Sequence, residues 1–143
     1  YVTNLLGSTT TGGGISGPVT FDATRTANLQ KLWGNFYGSI GGDAALSAAF
    51  QLAQWEITFD NDMTLVGQTG AKMWVEVADA QAGITDVAQG WLDAITGGTA
   101  VNQQQLALIS SENLQDLVTP VPEPATFAVM GLGLLAALKR RRK

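Results

Sequence analysis

Asp43-Ala-Ala-Leu-Ser-Ala-Ala-Phe-Gln-Leu-Ala-Gln-Trp-Glu-Ile-Thr-Phe59 carries the reading of the fold. Asp43 is placed to cap a helix running from Ala44 to about Phe59. Leu46, Ala49, Phe50, Ala53 and Ile57 recur at helical spacing and make one apolar face, while Ala48, Leu52, Trp55 and Phe59 make a second on the far side. A helix apolar on two sides is expected between layers, with Trp55 and Leu52 buried. Ser47, Gln51, Gln54 and Thr58 form a narrow polar stripe between the faces, which reads equally as a solvated edge.

Upstream, Leu29, Leu32, Trp33, Phe36 and Ile40 share one face of a helix starting near Thr24, its candidate cap. Gly41-Gly42 ends that helix and predicts a helical hairpin. Downstream, Ile84, Val87, Ala88, Trp91, Leu92 and Ile95 mark a third amphipathic helix, stopped by Gly97-Gly98. Tyr1–Leu6, Ile15–Phe21, Lys72–Val77, Leu106–Ser110 and Leu114–Val118 read as short strands. The fold class is therefore α+β: a helical hairpin and a third helix packed with short antiparallel strands, followed by a C-terminal hydrophobic helix.

Asp60-Asn-Asp62 invites a calcium reading, but Leu65 stands where an EF-hand loop needs Gly, and Ala71 where it needs the bidentate Glu. The segment reads as a capped turn, and no metal or other cofactor is expected. With neither cysteine nor histidine in 143 residues, the chain itself offers no thiol or imidazole ligand and no histidine-based triad. Up to Asp116 it has three cations against eleven acids, a net charge of −8. That balance excludes phosphate-neutralising nucleic-acid binding.

The last 23 residues have a different organisation. Pro122-Glu123-Pro124 is a stiff, extended strip; 125–138 carries no charge; and Lys139, Arg140, Arg141, Arg142 and Lys143 form a cationic end of the kind kept on the cytoplasmic side. Fourteen helical residues reach about 21 Å against a hydrocarbon core of about 30 Å, which suits a transient anchor better than a permanent one.

This order of tripeptide, apolar segment and basic tail resembles the PEP-CTERM sorting signal of Gram-negative bacteria. The resemblance implies recognition by exosortase, a membrane enzyme with a cysteine nucleophile, and a destination at the cell surface or in the exopolysaccharide matrix. It divides the chain into an exported domain (1–118), a linker and sorting motif (119–124), a short transmembrane helix (125–138) and a basic cytoplasmic tail (139–143). It also implies an upstream export signal, so the protein is expected to begin before Tyr1.

Ala49-Phe-Gln-Leu-Ala-Gln-Trp-Glu-Ile57 is similar to the glutamine-bearing motif of bacterial surface thioester domains. The similarity implies Gln51 as acyl partner of a cysteine upstream of Tyr1, with Ala53 and Trp55 as motif context. Phe50 and Gln54 depart from the usual Thr and Ile. The expected role is that of a non-enzymatic surface or matrix protein, adhesive or matrix-associated, its ligand an exopolysaccharide or another surface group. Two alternatives stand beside it: a secreted hydrolase using Glu56 with Asp60 or Asp62, and a structural protein that binds polysaccharide non-covalently.

Overall fold

The computed structural model describes residues 2–10, 18–66, 82–110 and 116–121. The strand expected at 72–77, Trp74, the Pro-Glu-Pro tripeptide, the C-terminal helix and the basic tail lie outside them. In chain order the elements are β1 (Val2–Asn4), β2 (Thr9–Thr10), β3 (Val19–Thr20), α1 (Ala23–Phe36), α2 (Ala44–Trp55), α3 (Ala82–Thr96), β4 (Leu106–Ile109) and β5 (Leu117–Pro120). Three helices with short antiparallel strands give the expected α+β class.

α1 begins two residues earlier than Thr24 suggests. Asp22 is the cap, its Oδ1 accepting the Arg25 N–H at 2.8 Å, so Thr24 lies inside the first turn. A carboxylate beside the unpaired N–H groups also meets the positive end of the helix dipole, an advantage that Thr lacks. Leu29 and Leu32 are buried, and Trp33, Phe36 and Ile40 pack against the core. Gly41 (φ 54°) and Gly42 (φ 87°) then turn the chain through a conformation open to residues without a Cβ. Asp43 caps α2 as expected, its Oδ1 accepting from the N–H groups of Ala45 (2.8 Å) and Leu46 (3.0 Å).

α2 is shorter than its pattern predicts. After Trp55 the chain widens into a π turn, Glu56–Asp60, closed by the Asn61 N–H on the Glu56 carbonyl at 2.7 Å, five residues back. The wider turn shifts the register, so Glu56, Ile57, Thr58 and Phe59 are buried in succession. The first apolar face holds as expected at Ala49, Phe50, Ala53 and Ile57. The second does not: Ala48, Leu52 and Trp55 are half-buried, and Phe59 alone of that face is buried. α2 therefore has one core face and one partly covered flank.

α3 meets α2 through its buried Ala88, Leu92 and Ile95. Gly97 and Gly98 end it, the Gly97 N–H returning to the Asp93 carbonyl at 2.7 Å. Rings tie the helices together: Phe50 of α2 lies 5.2 Å edge-on from Trp33 of α1 and 6.2 Å from Trp91 of α3, and Phe36 stacks on Trp91 at 5.2 Å.

β4 is the middle strand of the sheet β1-β4-β5, antiparallel to both neighbours, with Thr3 opposite Leu108 and Leu108 opposite Val118. Leu106, Ala107 and Leu108 are buried, as a strand covered on both faces requires. β2 and β3 form a separate two-stranded ribbon. One cluster joins Leu5, Phe21, Leu29, Leu32, Ile57, Leu92, Leu108 and Val118, so sheet and helices share a single core.

Candidate functional site

β5 runs two residues further than the strand expected at 114–118. Thr119 pairs with Ala107 and Pro120 with Leu106, so the first two residues assigned to the linker belong to the sheet. Pro120 has no N–H to contribute and sits at the end of an edge strand, where a proline is tolerated. Val121 is held as well: its N–H donates to the Gln105 carbonyl at 2.8 Å, and Gln104 Nε2 donates to its carbonyl at 3.3 Å. The fold thus grips the backbone up to the residue before Pro122.

The residues of the glutamine-bearing motif diverge. Gln51 is solvent-exposed, Ala53 is fully buried against the core, and Trp55 is half-buried beside a small cavity walled by Phe21, Gln54, Phe59, Leu108 and Val118. Gln51 and Trp55, four residues apart, share the outer flank of α2, whereas Ala53 points the other way. The open face of α2 therefore presents the amide to water.

Glu56 is the residue whose placement the sequence reading missed. The side chain is wholly buried, with Oε1 accepting the Met63 N–H at 2.9 Å and Oε2 lacking a hydrogen-bond partner among the described residues. Burial pushes its pKa from 4.5 to about 7; the Met63 hydrogen bond opposes the shift, and the Asp62 and Asp60 carboxylates add to it. The spacing Ala49, Ala53, Glu56 was the available signal, because it puts this carboxyl on the core face of α2.

Glu56 supports a strained loop. Asn61 (φ 65°) and Met63 (φ 69°) are left-handed without being glycine. Thr64 N–H donates to Asp62 Oδ1 at 2.8 Å, which makes the segment the capped turn expected from Asp60-Asn-Asp62. From α3, Gln89 Oε1 accepts the Leu65 N–H at 3.0 Å while its Nε2 donates to the Met63 carbonyl at 3.0 Å and to Asp93 Oδ1 at 2.9 Å. From α1, Arg25 donates to the Thr58 carbonyl at 3.2 Å and to the Asp60 carbonyl at 3.4 Å, placing a cation at the end of the π turn. The structure thus brings Glu56, Asp60 and Asp62 together, with the Glu56 carboxyl buried from solvent. Among the described residues no group of three or more acids is placed to hold a metal ion, and no helix is long and apolar enough to cross a membrane.

No curated protein and no solved structure matches the chain. Residues 120–143 match the PEP-CTERM protein-sorting motif, whose first two residues are the end of β5 and the pinned Val121. The chain carries a PEP-CTERM sorting signal, a mark of an exported protein sorted to the cell envelope by exosortase.

Proposed function

We propose that the protein is a non-enzymatic cargo of the cell surface or extracellular matrix, held transiently in the membrane by 125–138 and its basic tail and released into an adhesive or matrix-associated role. The observation that carries this reading is the sorting motif at residues 120–143 together with the junction at Val121: Thr119 and Pro120 pair with β4 and the Val121 N–H is held by Gln105, so a cut beyond Val121 leaves these pairings intact. An excess of eight acids up to Asp116 keeps such a domain soluble after release.

The fate of Glu56 also favours a role without catalysis, since its one hydrogen-bonded oxygen is engaged by Met63 and its other is sealed from solvent. Trp33 and Trp91 are spent on the contacts with Phe50, which argues against an aromatic platform for sugars at those positions. Covalent adhesion through Gln51 would need a cysteine partner from outside these 143 residues, and the exposure of Gln51 on α2 leaves its amide within reach of one but unshielded from water.

Replacing Pro122, Glu123 and Pro124 together by alanine tests the sorting reading in an exosortase-bearing host. The variant is expected to accumulate as a larger, membrane-retained form, while wild type appears outside the cell without its basic tail. Wild-type extracellular protein that still ends in Lys143 would overturn the reading.

A further inference from the structure

Val121, the residue before the sorting strip, lines a groove. This groove, of about 600 Å³, runs between α1 and the strands, with Ala27 and Gln30 on the helix side and Asn4, Leu6 and Gln105 on the other, and Val121 is also part of its wall. Val121 lies inside the matched sorting motif, so the groove is continuous with the segment that exosortase recognises.

Three features make this wall a docking surface rather than a neutral flank. First, the chain has no spacer here. Val121 is fixed by the Gln105 and Gln104 hydrogen bonds, and three extended residues reach no more than about 10 Å, so an enzyme closing on Pro122–Pro124 is brought against the groove. Second, none of the described residues lining the groove is charged, in a chain with an excess of eight acids up to Asp116. A partner can cover it without desolvating an ion. Third, Leu6, in the groove wall, is 54% exposed, uncovered apolar area of the kind that rewards burial.

We propose that exosortase engages its cargo at two places, the Pro-Glu-Pro strip and the groove that Val121 helps to line, so that the folded domain contributes to recognition. The proposal rests on the sorting reading above. Ala27 and Gln30 are presented by the rigid helix α1 and Gln105 by the segment that pins Val121, so the groove and the start of the strip keep a fixed relation. The fold thereby fixes where Val121, the residue before the strip, sits relative to the groove.

The test follows processing of the full precursor in an exosortase-bearing host by pulse-chase and intact mass. Ala27→Trp fills the groove from α1, Gln105→Trp blocks it from an exposed position, and Ala45→Trp at the exposed start of α2 is the control. Thermal midpoints establish that each variant is folded. Each groove variant is expected to slow processing about tenfold, the loss typical of blocking a central contact, with the control unchanged. A flexible spacer of about ten residues between Val121 and Pro122 is expected to slow the wild type and abolish its advantage over the groove variants. Wild-type rates in folded groove variants, or faster processing with the spacer, would overturn the proposal and mark the domain as an obstacle or a bystander. Failure of the sorting reading is distinguishable, because the triple-alanine precursor would then be processed like wild type.

Discussion

The carboxyl of Glu56 accepts the N–H of Met63 at 2.9 Å from a position with no solvent contact, and so ties the π turn to a loop whose backbone is left-handed at Asn61 and Met63. The arrangement satisfies a backbone donor in the interior and supports two unfavourable φ values at once. It also puts an ionisable group where its charge is costly.

That cost makes stability depend on pH. The folded state holds the Glu56 proton more tightly than the unfolded chain, with a pKa raised from 4.5 to about 7. The contribution is complete below about 4.5 and is lost as pH rises through about 7. Glu56→Gln keeps the acceptor for Met63 without the charge. Relative to wild type it should gain stability between pH 5 and 8, to roughly 3 kcal/mol, and be near neutral at pH 4. Urea denaturation of both proteins across that range measures the difference. A constant difference would exclude the linkage.

Gly34 gives a prediction from close approach. A Cβ there would lie 2.8 Å from the Asn102 carbonyl oxygen, in a segment that Asn35 clamps by donating to that oxygen at 2.9 Å and accepting the Asn102 N–H at 3.3 Å. The obstacle is backbone, which cannot swing aside as a side chain would. Gly34→Ala should therefore destabilise by about 1–3 kcal/mol despite alanine's better helix propensity. A raised thermal midpoint would show that the segment following α3 yields.

The two sides of α2 should separate under truncation. Phe50 is buried and touches Trp33, Tyr37 and Trp91, so Phe50→Ala should cost about 3–5 kcal/mol. Trp55, half-buried beside a small cavity, should cost about 1–2 kcal/mol. Equal losses in chemical denaturation would restore the symmetric, two-faced helix suggested by the periodicity.

Legibility followed the range of the interactions. Asp43, Gly41-Gly42 and Gly97-Gly98 act within one turn of chain, and their roles were readable because capping and left-handed turns are local chemistry. The sorting motif was readable because its meaning lies in linear order. Pairing of β1 with β4 was not, since nothing near Thr3 selects Leu108 as its partner. Trp55 and Leu52 were misplaced because a helical period identifies faces without saying how deeply each is covered, and because the π turn ends that period at Glu56. Glu56 itself was hidden by residue type: a carboxylate is ordinarily assigned to solvent, and its partner, the Met63 N–H, belongs to a loop without a period.

Gln51 carries a stoichiometric prediction. A thioester between it and a cysteine from outside these residues would leave the mature protein lighter by one ammonia, and methylamine would add at Gln51 and not in Gln51→Ala. Exposure on α2 makes such a bond open to amines and water alike. Intact mass before and after methylamine decides between an acyl donor and a solvated helix residue.

The junction at Val121 predicts where the protein tolerates being cut. Val118 is buried in the core, β5 covers one side of β4, and Val121 closes the pairing through Gln105. A chain ending at Val121 keeps all of these contacts and should match the unfolding midpoint of a chain that continues through Pro124. A chain ending at Asp116 loses the Val118 side chain and exposes the edge of β4, a cost of at least ~3 kcal/mol from burial and hydrogen bonding together. Processing that preserves the domain must therefore fall after Val121, and the C-terminal residue of the extracellular protein, read by mass, should lie at or beyond it. A mature terminus before Val118, in a protein that still unfolds cooperatively, would show that β5 is dispensable and that the sheet tolerates losing its edge.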